Sequence, residues 1–307
     1  MRAKRGRRDY MKYYVVDAFT SVPFGGNPAG VVLLNEGAGF PEESFCVKTA
    51  RELRYSETAF VRQLDGQTFQ IRYFTPTAEV DLCGHATVGS FTALRRSGRI
   101  GDGDYRLRTR SGELCVTVAN GSVVMDMAAP SALDEITDEE ELRELYRVMG
   151  LDWAEQRAHG LTLFPQLVST GLPDILLPVW SCGELERIEP DLPALTALSE
   201  RYGAVGVHAF TRDGADATCH VRNFAPLYGI NEESATGTAN GALTYYGFLH
   251  GFIAAGSDCR FVQGEKMGRP SVVHAHIENN GGACAVRVGG EGAVVAEGEL
   301  LTVPENG

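Results

Sequence analysis

The 307-residue chain alternates between two hydrophobic periods. KYYVVDAF (12–19) and VVLLN (31–35) are β-branched and aromatic enough to predict strands, separated by the Gly/Pro-rich loop SVPFGGNPAG (21–30). In PEESFCVKTAREL (41–53) the period changes. Phe45, Thr49 and Leu53 recur at helical spacing, and Glu42 and Glu43 sit in the first turn, where the helix dipole favours acid. SETAFVRQ (56–63) and QTFQIRYFT (67–75) predict strands, HATVGSFTALRRSG (85–98) a helix, and three short strands then run to about Met127. AAPSALDEITDEEE (128–141) is acidic and contains proline, which reads as a linker.

The second half follows the same plan. DEEELRELYRVMG (138–150), DLPALTALSERYG (191–203) and GTANGALTYYGFLHG (237–251) predict helices. LFPQLVST (163–170), DILLPVW (174–180), VGVHAF (205–210) and ATCHVRNF (217–224) predict strands, and three more strands close the chain. Residues support the repeat. FTPTAEVDLCGHATVGSF (74–91) parallels FAPLYGINEESATGTANGAL (224–243): both open Phe-x-Pro, and both reach a small residue, Gly and Ala at the helix start, as Cys83-Gly84-His85-Ala86 and Thr236-Gly237-Thr238-Ala239. The expectation is an α+β protein of two pseudo-twofold-related domains, each a curled, mostly antiparallel sheet around a central helix. Residues 12–128 form the first and 129–294 the second, with a strand at about 295–305 completing the first.

Composition narrows the class. With 44% hydrophobic and 22% charged residues the chain is that of an ordinary soluble globular protein, and no apolar run is long enough to cross a bilayer. The first ten residues carry a net +4, which leaves −16 on the rest of a chain whose total is −12. An acidic body argues against nucleic-acid binding. Residues 1–11 read as a solvated, disordered tail, or as sequence upstream of a true start at Met11, which opens the first strand. Seven scattered cysteines without a CxxC pair suggest reduced thiols and a cytoplasmic location. Cys83 and His85 lie two apart, but no further acid or imidazole is arranged in sequence to complete a coordination shell, so no metal site is expected.

The duplicated helix starts carry the chemistry. The first amides of a helix have no internal partners, and the dipole places partial positive charge there. Gly84 and Gly237 allow close approach of a ligand, so two facing ends would hold a small carboxylate without any arginine. Each glycine alone is also explained as a tight strand-to-helix turn. Cys83, just before the first, invites a thiol mechanism, but its counterpart is Thr236, too weak an acid or base near neutral pH to complete a two-thiol relay.

The loop FGGNPAGVVL, the stretches YSETAFV and RYFTPTAEVDLCGHATVGS, and the later STGLPD, RNFAPLYGINEESATGTANG and QGEKMGRPS resemble the phenazine-biosynthesis (PhzF-like) isomerase family, from about residue 12 to the C-terminus. That family is similar in fold to diaminopimelate epimerase and proline racemase. The resemblance implies an active site between the two domains, no cofactor, a small carboxylate-bearing substrate and a homodimer. It places Glu57 on the family's catalytic glutamate, a general base and acid that burial would raise toward the working pH. His85 matches the histidine flanking the substrate; at a helix N-terminus its charged form is disfavoured, so a neutral imidazole is expected. Glu233 stands at the family's acidic position, usually aspartate. Thr238 replaces a serine beside the helix-start amides, and Asn27 matches an asparagine lining the cleft. Thr170, Gly171 and Asp174 are expected to line the opposite wall, Cys83 to line the site, and GRPS (268–271) to be a structural turn. The leading expectation is therefore a cofactor-independent isomerase shifting a proton within a small carboxylate-bearing metabolite. Two rivals stand beside it: an epimerase-like enzyme using Cys83 as a single thiolate base, its pKa lowered by the helix start, and a non-catalytic protein that binds a small acid.

Overall fold

The computed structural model describes residues 10–301, so the expected disordered basic tail lies almost wholly outside the described residues. These residues form two compact units: one of 10–24, 28–123 and 291–301, the other of 25–27 and 124–290.

The first unit is built from β1 (Met11–Ala18), β2 (Asn27–Leu33), α1 (Glu43–Leu53), β3 (Thr58–Gln63), β4 (Thr68–Phe74), β5 (Glu79–Val80), α2 (Gly84–Arg96), β6 (Gly103–Thr109), β7 (Gly112–Ala119) and the start of β8 (Ser122–Asp126). β2 and β3 run parallel, as do β4 and β6, whereas β3–β4, β4–β5 and β6–β7 are antiparallel. α2 lies in the core of this unit. From His85 to Phe91 every residue of it is buried, as are Ala93 and Leu94. A helix can be covered all round only if its neighbours come close. Gly89 permits that, since a Cβ there would already touch Val16, Ala29 and Val31 at 3.5–3.6 Å. Phe91 packs edge-on against Phe69, ring centroids 5.7 Å apart. Full burial of such a side chain contributes about 1.5–3 kcal/mol.

The second unit contains β9 (Ser131–Glu135), α3 (Glu139–Val148), α4 (Trp153–Ala158), β10 (Gln166–Ser169), β11 (Pro173–Pro178), α5 (Cys182–Arg187), α6 (Leu192–Tyr202), β12 (Val207–Thr211), β13 (Cys219–Ala225), β14 (Ile230–Glu233), α7 (Gly237–Leu249), β15 (Asp258–Gln263) and β16 (Ser271–Asn280). The 18-residue β17 (Ala283–Leu300) closes the chain; its first part pairs antiparallel with β16 and its last part antiparallel with β1. The internal pairing repeats that of the first unit: β11 and β12 are parallel, β13 and β15 are parallel, and the remaining recorded pairs are antiparallel. Along the central strands, residues alternate between two environments. Ile175, Leu177, Val207, Ala209 and Phe224 meet Leu142, Leu145, Leu195 and Leu198 of α3 and α6 in one apolar core. The intervening residues, Asp174, His208 and Asn223, point the other way. Contact of His208 Nε2 with Asn240 Oδ1 at 3.4 Å shows that this other face looks toward α7.

Two expectations need correction. The stretch 128–141 is not a linker: Ala132 and Ser131 pair with Val168 and Ser169 of β10. β9 is mostly exposed, so nothing forces the apolar alternation by which a strand is recognised. The strand placed at 31–35 begins earlier, at Asn27, inside the segment read as a loop. No helix of the described residues is long and apolar enough to cross a membrane.

Candidate active site

In the first unit the site grows from the start of α2. Cys83 is the N-cap residue in an extended conformation, and its side chain makes no cap. The turn is held from behind: Thr87 Oγ1 donates to the Cys83 carbonyl at 2.8 Å, and the buried Tyr73 hydroxyl contacts Thr87 Oγ1 at 2.6 Å. Glu57 precedes β3, whose parallel pairing with β2 is extended by Gly30 N–H donating to the Glu57 carbonyl at 3.1 Å. That pairing sets the Glu57 side chain beside the helix start. His85 Nε2 lies 3.1 Å from Glu57 Oε2, with the two side chains only 5% and 13% exposed. Glu57 Oε2 is buried and accepts no well-aligned hydrogen bond. Cys83 Sγ lies 3.4 Å from His85 Nδ1, and Ser56 Oγ 3.4 Å from His85 Nε2.

The electrostatics reverse two expectations. Burial pushes the Glu57 carboxyl up, but hydrogen bonds from His85, Ser56 and Cys83 and the charge of His85 outweigh it, and the net shift is downward. For His85 burial acts against the charge, yet Cys83 and Glu57 together hold its pKa well above the ordinary value. We therefore read the pair as carboxylate and imidazolium, not as a neutral imidazole beside a carboxyl raised toward neutrality. The helix-start effect that favours a neutral histidine is overridden by a carboxylate at contact distance. Burial raises the Cys83 thiol, against the lowered thiol that a thiolate base needs.

The expectation that no acid stands near Cys83 and His85 is also corrected. Possible ligand atoms of Glu57, Cys83 and His85 all lie within 4.8 Å of one another. Their mutual contacts are those of a proton-sharing cluster, and all three groups are accounted for by it.

In the second unit the start of α7 is built from different side chains. Thr236 is its N-cap, again without a side-chain cap. The Thr236 hydroxyl instead donates to Glu233 Oε2 and accepts from Gln263 Nε2 at 3.1 Å, so its proton is already committed. Asn27 Nδ2 donates to Glu233 Oε1 and to the Ala235 carbonyl, both at 2.9 Å. Gln263 also accepts from Thr236 N–H at 3.1 Å and from Asn240 Nδ2 at 3.0 Å. Thr170 Oγ1 donates to the Thr238 carbonyl at 2.9 Å, an approach that α7 permits because residue 241 is glycine: a Cβ there would lie 2.8 Å from that oxygen. Gly171 has φ +140°, which suits glycine at this turn. The Gly237 backbone is buried, and the Thr238 side chain is partly exposed.

Each unit thus gathers its own part of the expected set. Glu57, Cys83, Gly84 and His85 cluster in the first; Asn27, Thr170, Gly171, Glu233, Gly237 and Thr238 belong to the second. GRPS does more than turn the chain: Arg269 donates from Nε to the Gly26 carbonyl at 2.9 Å and through its guanidinium to the Gly25 carbonyl at 2.7 Å, while Gly26 N–H donates to the Pro270 carbonyl at 3.1 Å. This is what binds 25–27 to the second unit and holds Asn27 against Glu233. Sequence reasoning missed Ser56, Asn240, Gln263 and Arg269 as site residues, since each acts through a partner distant in sequence.

The chain is similar to known proteins over nearly its whole length. The family model described as phenazine biosynthesis-like protein matches residues 16–298. An uncharacterized isomerase from Deinococcus radiodurans is 37% identical over 94% of either chain. A trans-2,3-dihydro-3-hydroxyanthranilate isomerase from Pseudomonas fluorescens is 30% identical, over 94% of this chain and 99% of its own. The crystal structure of a PhzF-family protein from Bacillus anthracis superposes with a TM-score of 0.84 at 27% identity, covering 96% of this chain and all of that one. In fold alone, a hydroxyproline epimerase from Agrobacterium vitis is similar, with a TM-score of 0.62 at 14% identity, over 97% of this chain and 92% of its own.

Proposed function

Because the chain belongs to the phenazine biosynthesis-like (PhzC-PhzF) family, and relatives matching nearly its whole length are named isomerases, we propose that it is a cofactor-independent isomerase with Glu57 as the proton-moving group. The observation that supports this most is the Glu57–His85 contact: a buried carboxyl oxygen 3.1 Å from His85 Nε2 at a helix start. Such an oxygen accepts a proton from a substrate carbon, the electron pair left behind spreads into the substrate's own conjugated system, and Glu57 returns the proton to another carbon. Atoms and charge balance without any added reagent. His85 keeps Glu57 ionised beforehand and stabilises it after each transfer. The start of α7, with Thr238 and Gly237, is assigned to the substrate carboxylate, and Glu233 with Asn27 to its polar substituents. The substrate class is a small carboxylate-bearing ring or chain whose acidic C–H lies next to unsaturation.

The test is incubation with trans-2,3-dihydro-3-hydroxyanthranilate, the compound named for the Pseudomonas relative, and with other unsaturated hydroxy or amino acids in D2O. Deuterium should enter at carbon with the wild-type protein and not with Glu57→Gln. Equal uptake by that variant sinks the assignment; tight binding with no exchange by either protein makes it a binding protein instead.

A further inference from the structure

His208 is fully buried on the α7-facing side of β12, and the chemistry above gives it no task. Its role follows from the backbone groups near the start of α7, because an N–H only donates and a carbonyl only accepts. Gln263 on β15 meets both kinds. Its Oε1 accepts from Thr236 N–H at 3.1 Å and its Nε2 donates to the Glu233 carbonyl at 2.8 Å, so its buried amide has one orientation. Asn240 of α7, also fully buried, donates from Nδ2 to the Thr236 carbonyl at 2.9 Å and to that same Gln263 oxygen at 3.0 Å. Its Oδ1 is thereby turned toward His208 Nε2, 3.4 Å away, and an oxygen there requires the proton on that nitrogen. Burial depresses the His208 pKa to about 3, so the ring holds one proton only. His208 Nδ1 is then the bare nitrogen, and it accepts from Asn223 Nδ2 at 3.2 Å.

Strand register gathers these side chains. Asn223 on β13 is paired with His208 on β12 and with Glu233 on β14. Gln263 is paired with Val221, two residues before Asn223, and so projects from the same side of the sheet. The Asn223 side chain also bonds the Asp174 carboxyl, which burial and then the charge of Glu233 push up to about 8. From there all donors point one way: Asn223 to His208, His208 to Asn240, Asn240 to Gln263, Gln263 to the Thr236 hydroxyl, and that hydroxyl to Glu233 Oε2. Bonds aligned in this way polarise one another. A proton on Nδ1 instead would set two lone pairs together at Asn240 Oδ1. Asn240 cannot turn over to relieve this, since the Thr236 carbonyl and Gln263 Oε1 both hold its Nδ2.

We propose that His208 is a positioning residue: protonated at Nε2 alone, it acts through Asn240 and Gln263 to fix the Thr236 hydroxyl as a donor to Glu233, and so sets the orientation in which that carboxylate meets the substrate. Its bearing on substrate rests on the reading that Glu233 faces the substrate's polar substituents.

The experiment is NMR on the full-length protein, labelled in histidine and glutamate, beside His208→Gln and His208→Leu. Glutamine keeps a donor amide near the place of Nε2, and leucine removes it. The His208 ring, assigned by its loss in either variant, should show a proton on Nε2 and a bare Nδ1, unchanged from about pH 5 to about pH 9. The Glu233 Cδ resonance, assigned by its loss in Glu233→Gln, should keep its place in His208→Gln and shift in His208→Leu. For deuterium exchange into trans-2,3-dihydro-3-hydroxyanthranilate, His208→Leu should raise KM about 10–100-fold and lower kcat less, because Glu57 and His85 are untouched; His208→Gln should restore KM. A role in packing alone would leave the Glu233 resonance in place and would not favour glutamine over leucine. A proton on Nδ1, a His208 that titrates in this range, or a Glu233 resonance unmoved in His208→Leu overturns the proposal, as does a His208→Gln protein as impaired as His208→Leu. The resonances are read without substrate, so a wild type that exchanges nothing refutes the substrate reading while the spectra still decide the role of His208. Should His208→Leu not fold, the wild-type ring protons and the Glu233 resonance in His208→Gln decide it: a proton on Nδ1 or a shifted resonance overturns the proposal.

Discussion

Replacing His85 with asparagine separates the two influences that set Glu57. Burial is the largest single influence on that carboxyl and acts upward; the contributions of His85, Ser56 and Cys83 act downward and prevail. Unit charges at the observed 3.1 Å, in an effective dielectric of about 20, attract by about 5 kcal/mol. Both side chains are well under a third exposed, so solvent screening removes little of this, but relaxation and retained bonds to Ser56 and Cys83 will recover part. With the contribution of His85 removed, burial, the largest influence, acts against less opposition, and the Glu57 carboxyl should rise. The assay is the pH dependence of deuterium incorporation. The acid limb, which reports the fraction of Glu57 ionised, should move to higher pH. In parallel, the ring C–H resonance of His85 in wild type should titrate well above the ordinary histidine range and fall back in Glu57→Gln. Stability follows the same pair. Glu57 has a depressed pKa, so its contribution is present above its unfolded value and lost as pH falls through the folded one. His85 has a raised pKa, so its contribution is present below about 6.5 and lost as pH rises through its folded value. The pair is therefore most stabilising between these limits. An acid limb that stays in place in His85→Asn refutes the reasoning.

Other outcomes follow from the same geometry. Glu57→Gln should lower isomerisation by about 10²–10⁴-fold, the usual worth of one general base, with ligand affinity largely kept. Cys83→Ala should retain activity within about tenfold, and iodoacetamide near pH 8 should label the exposed Cys115 well before Cys83, whose thiol is raised by burial; first labelling at Cys83 with loss of activity would restore the thiolate mechanism. Gly206→Ala should cost about 3 kcal/mol or more in denaturant unfolding, since its Cβ would fall 1.9 Å from the Phe224 carbonyl oxygen, a backbone atom no rotamer change can move. Arg269→Ala should raise KM more than it lowers kcat, because it releases the Gly25 and Gly26 carbonyls and with them the support of Asn27.

Much of the site is legible in the amino-acid sequence, for a local reason. Gly84 and Gly237 mark strand-to-helix turns whose signal lies within a few residues, and the duplication of the surrounding pattern makes each turn evidence for the other. Strand β9 is hidden because it is mostly exposed, and a strand without a buried face leaves no alternation to read. Asn223, Asn240, Gln263 and Arg269 are invisible as a group: polar residues acquire partners only through pairings between distant strands.

Charge state is the least legible property. The sequence by itself determined the helix starts, the alternation of strands and the identity of Glu57, Cys83, His85 and Glu233, because local sterics, periodicity and recognisable motif order decide these. Only the tertiary structure decided that Glu57 is held down and His85 up, that the Cys83 thiol stays protonated, and that Asp174 is a buried acid facing Glu233. Protonation depends on solvent exclusion and on charges within a few ångströms, and both are set by which strands lie side by side.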